Sequence, residues 1–129
     1  MKVSFDFDGC LGDNKFVQMI CKMFISSGHD VYILTSRDNR AMNSDLWKFA
    51  DEYNIDRNKV FMTNGALKVD LFIKNGFDLH FDNSYDEVIA INNRFQETKN
   101  PLIKNESQPA ILVNFDSDEA SFLINHSNI

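Results

Sequence analysis

The sequence predicts one α/β domain over residues 1–129, built in three layers, with a five-stranded, mostly parallel sheet between helices on both faces. Two observations predict this fold class. Short apolar runs alternate along the chain with longer segments whose apolar residues recur at helical spacing. The run Val31–Leu34 is apolar throughout, as in strands that are covered on both faces. Strands that alternate with helices form βαβ units, whose neighbouring strands are parallel.

The individual elements follow from these patterns and from the residues that end them. Gly28 and Gly76 each follow a helical pattern and are typical helix stops. The polar stretch 97–109 holds both prolines and is predicted to be a surface loop. The predicted strands are Lys2–Phe7, Val31–Leu34, Lys59–Met62, Phe77–Phe81 and Ala110–Phe115, and the predicted helices are Asn14–Ser27, Asn39–Tyr53, Ala66–Lys74, Tyr85–Phe95 and Ser117–Asn125.

Composition and charge restrict the class of protein. The net charge of −6 gives no long-range attraction to nucleic acid or to an anionic membrane, although a local basic strip stays open. No segment approaches the ~20 apolar residues of a membrane-spanning helix. Asp6 interrupts the first apolar run, so we expect no signal peptide. Cys10 and Cys21 form no disulfide framework, and a reducing, cytoplasmic location is the simplest expectation.

Polar side chains gather where the predicted strands end, at Asp6 with Asp8, at Thr35 and at Asp82. Sheets of this kind form their sites at the carboxyl ends of the strands. Because side chains alternate along a strand, Asp6 and Asp8 are predicted to project on the same side, roughly 7 Å apart at about 3.3 Å per residue. Two carboxylates this close repel each other unless a cation lies between them, and Mg²⁺ prefers such oxygen ligands.

Four short motifs stand at these positions in a fixed order. An apolar strand leads into Asp6–Leu11, which reads Asp-Phe-Asp-Gly-Cys-Leu. Thr35 ends the second strand, Lys68 begins a helix, and Asp82 with Asp86 follows the fourth strand. In this order the chain resembles the haloacid dehalogenase-like superfamily of phosphohydrolases over about its first 95 residues. The resemblance implies a Rossmann-like domain and a Mg²⁺-dependent phosphatase that hydrolyses a phosphate monoester through an aspartyl-phosphate.

The resemblance also implies a role for each of the acidic residues. Asp6 is expected to be the nucleophile and a metal ligand. Asp8 is expected to be the general acid and base, with its backbone carbonyl on the metal. Asp82 and Asp86 are expected to complete the Mg²⁺ site, directly or through water. Because Asp8 is present, the resemblance favours phosphate-ester hydrolysis over dehalogenation.

The remaining candidates are expected to contact the phosphate. By the same resemblance, Thr35 and Lys68 are catalytic residues that neutralise charge on the phosphoryl oxygens. Ser36 follows Thr35 at the strand end, and Arg37 can bind a phosphate through two parallel hydrogen bonds. We therefore predict Ser36 and Arg37 as substrate-binding residues. The alternative for Arg37 and Lys68 is a solvated surface residue, and Lys74 is the rival to Lys68.

Several positions depart from the family pattern or have a structural alternative. Cys10 replaces the usual threonine and is predicted to pack as a small apolar group. Asn83 stands where many members have a second acid, which leaves open whether Asn83 or Asp86 completes the metal site. Helix capping is the alternative for Asp86 and the preferred interpretation of the second Asp-x-Asp, Asp116–Asp118. His80 lies inside a predicted strand and is expected to be a hydrogen-bonded core histidine.

The spacing of the motifs leaves no room for a cap domain. Only 26 residues separate Asp8 from Thr35, and 32 separate Thr35 from Lys68, and one helix with a strand or turn fills each interval. An uncapped site does not exclude water by itself. We therefore expect either a large phosphorylated substrate or a homo-oligomer whose neighbouring subunit covers the site. On the resemblance, the phosphate of a nucleotide or of a nucleic-acid terminus is favoured.

Two other functions stay open at this point. The domain can be a catalytically weak regulatory or assembly module that binds metal and phosphate, which Cys10 and Asn83 favour. A receiver-like signalling domain also uses acidic residues, a threonine and a lysine on a parallel sheet. Its phosphorylated aspartate follows a third strand, whereas the third strand here is followed by Thr63 and Asn64, so this class is disfavoured.

Overall fold

The computed structural model describes residues 1–97 and 108–113. Within them, five parallel strands form one sheet in the order β3-β2-β1-β4-β5, which confirms an α/β, Rossmann-like domain without a cap. The strands are β1 (Lys2–Phe5), β2 (Asp30–Thr35), β3 (Val60–Met62), β4 (Leu79–Asp82) and β5 (Ala110–Leu112), and the helices are α1 (Lys15–Ser26), α2 (Ser44–Glu52), α3 (Val69–Lys74) and α4 (Tyr85–Glu97).

Helices cover both faces of the sheet. On one face, Val3 and Phe5 of β1 pack in a core that includes Val17 of α1 and Leu46 of α2. On the other face, α3 and α4 contribute a second core around Phe72. Since side chains alternate along a strand, the even-numbered positions of β1 face this second core. None of the helices in the described part of the chain is long and apolar enough to cross a membrane.

The strand order reverses at β1, and this reversal positions the candidate site. From β1 the chain moves outward to β2 and β3, then crosses back to β4 and β5 on the opposite side. The connections that leave β1 and β4 therefore diverge and open a crevice at the carboxyl ends of these two strands. Asp6 follows β1 and donates its backbone N–H to Phe81, while Asp82 is the last residue of β4. The two aspartates thus stand beside each other at the crevice.

β1 ends at Phe5, two residues earlier than predicted. Phe7–Leu11 form a single turn of π type, in which Gly9 adopts a left-handed φ of +69°. The alternation of a strand therefore does not extend to Asp8. The prediction that the alternation of one strand places Asp6 and Asp8 on the same side is therefore wrong.

Helix α2 begins at Ser44 rather than at the predicted Asn39. The side chain of Asn43 donates to the backbone carbonyls of Asp38 and Ala41 and closes a turn ahead of the helix. These side-chain hydrogen bonds compete with helical ones, which is why the apolar periodicity places the start of α2 too early.

Helix α3 begins at Val69 rather than at the predicted Ala66. The Thr63 hydroxyl donates to the carbonyl of Ala66, and Gly65 has a φ of +86° that no helical residue adopts. As a result Lys68 occupies the position just before the first helical residue. The predicted helix Ser117–Asn125, the Asp116–Asp118 pair and most of the predicted 97–109 loop lie outside the described residues.

Candidate active site

Lys68 is buried between the carboxylates of Asp6, which follows β1, and Asp82, which ends β4. Its ammonium donates to Asp6 Oδ1 at 2.8 Å and to Asp82 Oδ2 at 2.6 Å. Glu87 of α4 accepts from the backbone N–H of Lys68 at 3.2 Å, and its Oε2 lies 3.8 Å from the ammonium. Only 2% of Lys68 is exposed, so the solvated-surface alternative for this residue is excluded.

The charges around Lys68 do not balance. Asp6, Asp82 and Glu87 supply three carboxylates against one ammonium, so two negative charges are in excess when all of these groups are ionised. Burial, together with the nearby charge of Asp82, raises the pKa of Asp6 to about 7 although Lys68 opposes the shift. Burial also raises the pKa of Glu87. A proton or an additional cation near Asp6 relieves this excess.

The pKa of Asp82 shifts in the opposite direction. Burial acts to raise its pKa, but the hydrogen bond from His80 and the charge of Lys68 outweigh it, and the pKa of Asp82 is lowered. His80 Nε2 lies 2.8 Å from Asp82 Oδ2, and the ring is fully buried. The expectation of a hydrogen-bonded core histidine is confirmed.

Asn83 closes the site beside Asp6. One terminal atom of its amide lies 2.8 Å from Asp6 Oδ2 and 3.1 Å from the carbonyl oxygen of Asp8. The amide nitrogen occupies this place, since from there Asn83 donates to both oxygens, whereas an amide oxygen would face only acceptors. Asn83 is thus the residue that meets Asp6, while Asp86 is exposed in the first turn of α4. A ligand role for Asp86 stays a prediction.

The donor set at this crevice fits Mg²⁺. No group of three His, Cys, Asp or Glu residues that could hold a metal ion is present in residues 1–97 and 108–113. Mg²⁺ commonly takes only one or two carboxylates and keeps several waters. Asp6 and Asp82 supply two carboxylates, and the Asp8 carbonyl supplies a further oxygen. A third acid is therefore not required.

Arg37 holds the carboxylate of Asp8. Its Nε and Nη2 donate to Asp8 at 2.8 and 2.7 Å, and its Nη1 and Nη2 donate to Asp45 of α2 at 2.7 and 2.9 Å. Nη1 also lies 3.4 Å from Asn43 Oδ1, and the guanidinium lies over the ring of Phe7. All five N–H groups of Arg37 therefore have protein acceptors. The predicted contact with a substrate phosphate requires Arg37 to exchange one of them.

Thr35 and Ser36 end β2 next to this cluster. Thr35 is fully buried, and its hydroxyl accepts from the backbone N–H of Arg37 at 3.3 Å. Ser36 is exposed, and its carbonyl accepts from Gly65 at 2.8 Å. Both residues lie at the same end of the sheet as Asp6, as predicted from the shared edge of parallel strands. Their contact with a phosphate stays a prediction.

Cys10 packs beneath the turn as expected for a small apolar group. It is fully buried, and its thiol donates to the carbonyl of Phe81 at 3.6 Å. Burial raises the pKa of the thiol well above its ordinary value, which opposes a reactive thiolate.

Three residues of this site escaped the sequence analysis. Glu87 and Asp45 each lie in the first turn of a helix, where acids are common for electrostatic reasons, so neither carries a distinguishing signal. Ser4 does carry one, because it is a polar residue between the apolar Val3 and Phe5 of β1. Its even-numbered position, shared with Asp6, places it on the face that carries the site.

Gly9 allows Asn83 to approach the turn after β1. Its φ is +69°, and a Cβ added there would overlap the Asn83 amide. We expect Gly9→Ala to lower the free energy of unfolding by about 2 kcal/mol, because left-handed strain is added and the exposed Asn83 side chain is displaced from its two acceptors. Gly28→Ala is the matched control, since Gly28 has a φ of +81° with open space around it and is expected to lose only about 1 kcal/mol. Equal losses in urea unfolding would contradict the Gly9–Asn83 contact.

The raised pKa of Asp6 predicts stability that falls as pH rises. The pKa is 3.8 in its ordinary state and about 7 in the fold, so the folded protein binds more protons between pH 4 and 7. The stabilisation is complete below pH 4 and is lost as pH passes 7. With chelator present, the free energy of unfolding of the native protein relative to Asp6→Asn should drop by roughly 1–4 kcal/mol across this range. A difference that does not change with pH would show that Asp6 titrates normally.

Comparison of the chain with protein-family models and with curated proteins gives no match. The functional argument therefore rests on the motifs and on the geometry of Asp6, Lys68, Asp82 and Asn83.

Proposed function

We propose that this protein is a Mg²⁺-dependent phosphomonoesterase similar to the haloacid dehalogenase-like phosphohydrolases, with Asp6 as the nucleophile. The observation that supports this most is the convergence of Asp6 and Asp82 on one buried lysine. The carbonyl of Asp8 and the amide of Asn83 lie beside the second oxygen of Asp6. A purely structural ion pair does not need this surplus of buried carboxylates.

The chain's own residues account for both chemical steps. Lys68 holds Asp6 Oδ1, and Oδ2, which the Asn83 amide contacts at 2.8 Å, is the oxygen that would attack phosphorus. A bond forms between Oδ2 and phosphorus, the bond to the leaving oxygen breaks, and Asp8 gives that oxygen a proton. Water then attacks the phosphorus of the aspartyl-phosphate and gives a proton to Asp8, the bond between Asp6 Oδ2 and phosphorus breaks, and inorganic phosphate leaves with Asp6 regenerated. Mg²⁺ held by Asp6, Asp82 and the Asp8 carbonyl would supply positive charge to the phosphoryl oxygens.

Asp8 has to change partners for this chemistry. Both of its carboxylate oxygens accept from Arg37, and a proton donor needs a hydrogen on one of them. The side chain of Asp8 is 56% exposed, so it has room to turn from Arg37 toward a leaving group. The guanidinium that it releases can then bind the substrate phosphate, which is the role predicted for Arg37.

The charge of the surface beside Asp8 indicates which class of substrate the site favours. A cavity of about 250 Å³ adjoins it, and its charged lining residues include Asp13, Glu52 and Lys48, together with Asp45, which pairs with Arg37. This acidic surface favours a small phosphomonoester with an uncharged or cationic leaving group. This surface gives no support to binding of a polynucleotide end. The nucleotide or nucleic-acid terminus that the resemblance favours is therefore the less favoured class of substrate.

We place the activity in the reducing cytoplasm, because both cysteines are free and buried. The same crevice, without a cap of its own, leaves a covering subunit in a homo-oligomer as a further expectation.

The test is hydrolysis of an aryl phosphate with Mg²⁺, with and without EDTA. We expect phosphate release that EDTA abolishes, followed by selectivity within a panel of sugar phosphates, nucleotides and phosphorylated oligonucleotides. Mg²⁺ binding without any turnover would instead support the regulatory-module alternative, which the engagement of Asp8 by Arg37 favours. Neither binding nor turnover would contradict both functions.

A further inference from the structure

A buried serine and histidine lie next to Asp82, each two residues before the aspartate that lies at the crevice end of its strand. Ser4 of β1 and His80 of β4 are register partners, so their side chains lie next to each other on one face of the sheet. His80 Nδ1 is 2.7 Å from Ser4 Oγ, and His80 Nε2 is 2.8 Å from Asp82 Oδ2. Ser4 and His80 have no exposed surface, and neither takes part in the chemical steps proposed above.

Packing alone does not explain this polar pair. The surrounding core is apolar, and the ring of Phe72 meets His80 edge-on at 6.4 Å between centroids. Buried hydrogen-bonded groups contribute only about 1 kcal/mol each, and apolar residues of similar volume often serve a core equally well. The feature that only a polar pair supplies is the hydrogen bond to Asp82.

The positions of the hydrogens follow from the acceptor. An ionised carboxylate only accepts, so His80 Nε2 carries a hydrogen toward Asp82. The neutral ring has one ring hydrogen, which leaves Nδ1 as an acceptor for the hydroxyl of Ser4. The carboxylate of Asp82 therefore selects the tautomer, and Ser4, whose hydroxyl also lies 3.4 Å from the carbonyl oxygen of Leu79, holds Nδ1 of the ring from the other side.

The pair also determines which oxygen of Asp82 stays available. Oδ2 accepts from both His80 and Lys68, which occupies its two lone pairs. Oδ1 accepts only the backbone N–H of Ser84, at 2.9 Å, among the described hydrogen bonds. Oδ1 therefore retains a lone pair for another ligand.

We propose that Ser4 and His80 are positioning residues that fix the rotation of the Asp82 carboxylate, so that Oδ1 is presented to a divalent cation. This inference rests on the proposed Mg²⁺ site. Partners that orient a ligand in this way are typically worth about 10–100-fold in metal affinity.

The first measurement is the tautomer of His80, by long-range ¹H–¹⁵N NMR on the full chain without added metal. We expect the hydrogen on Nε2 in the native protein and also in Ser4→Ala, because the carboxylate of Asp82 only accepts. A hydrogen on Nδ1 in the native protein would overturn the proposal, because Nε2 could then not donate to Asp82.

The second measurement is Mg²⁺ affinity by calorimetry. His80→Phe keeps a ring but removes the donor, and we expect about 10–100-fold weaker binding. His80→Gln keeps an N–H and should recover part of the loss, and Ser4→Ala should weaken binding severalfold. His29→Gln is the control, because His29 lies at the opposite end of the strands and contacts the amino terminus; its affinity should match the native value.

The outcomes separate the proposal from the function on which it rests. If His80→Phe binds Mg²⁺ with native affinity, the positioning role is overturned and the phosphatase function is left intact. If His80→Phe does not fold, native affinity in both His80→Gln and Ser4→Ala has the same consequence. A native protein that binds no Mg²⁺ would overturn both. Weakened binding with an Nε2 hydrogen supports the proposal.

Discussion

Asp6→Asn is expected to reduce phosphate release on the order of a thousandfold or more, because an amide does not attack phosphorus and the other groups cannot replace a nucleophile. The substitution changes no heavy-atom shape. It removes one of the three carboxylates around Lys68 and leaves Asp82 and Glu87 to pair with the ammonium. We therefore expect a folded protein whose free energy of unfolding near pH 8 equals or exceeds that of the native chain.

The measurement pairs initial rates in Mg²⁺ with urea unfolding of the same samples. Asp70→Asn is the matched control, since Asp70 is 82% exposed on α3 and should leave the rate unchanged. Turnover close to native in Asp6→Asn would contradict an aspartyl-phosphate on this residue. A phosphoryl group found by mass spectrometry on Asp6 of the acid-quenched native enzyme would support it.

Lys68→Met is expected to destabilise the fold by about 3–5 kcal/mol and to abolish turnover. The methionine fills the same space, but Asp6, Asp82 and Glu87 then face one another without a cation. Lowering the pH should recover part of this loss, because protonation removes the repulsion between buried carboxylates.

Lys74→Met is the control for this change. Lys74 lies in the last turn of α3, is exposed, and was the rival candidate for the catalytic lysine. Its replacement should alter the free energy of unfolding by no more than about 0.5 kcal/mol. Combining Lys68→Met with Asp6→Asn should cost less than Lys68→Met alone, since one unpaired carboxylate is removed. Equal effects of Lys68→Met and Lys74→Met would contradict the buried ion cluster.

The fold could be predicted because its signals are local. A strand covered on both faces is mostly apolar, and Val31–Leu34 shows this directly. The starts of α2 and α3 were missed because side chains set them. Asn43 and Thr63 donate to nearby carbonyls, and no apolar periodicity reports such hydrogen bonds.

The site was predictable only where topology brings strand ends together. Asp6 and Asp82 follow adjacent parallel strands, so their proximity follows from the strand order once the sheet is known. The partners of Arg37 were not predictable, because they depend on how the turn after β1 directs Asp8 and on the distance to α2. Glu87 reaches Lys68 across the α3–α4 contact, which the sequence does not specify.

The most direct test of the central claim is a crystal structure of the protein soaked with Mn²⁺ in place of Mg²⁺, with the ion located by anomalous scattering. We predict one ion in the crevice between β1 and β4, coordinated by a carboxylate oxygen of Asp6 and by the carbonyl oxygen of Asp8, with Asp82 directly or through water as the third protein group. An ion bound only elsewhere, or an unoccupied crevice at saturating Mn²⁺, would contradict a metal-dependent phosphatase at this site.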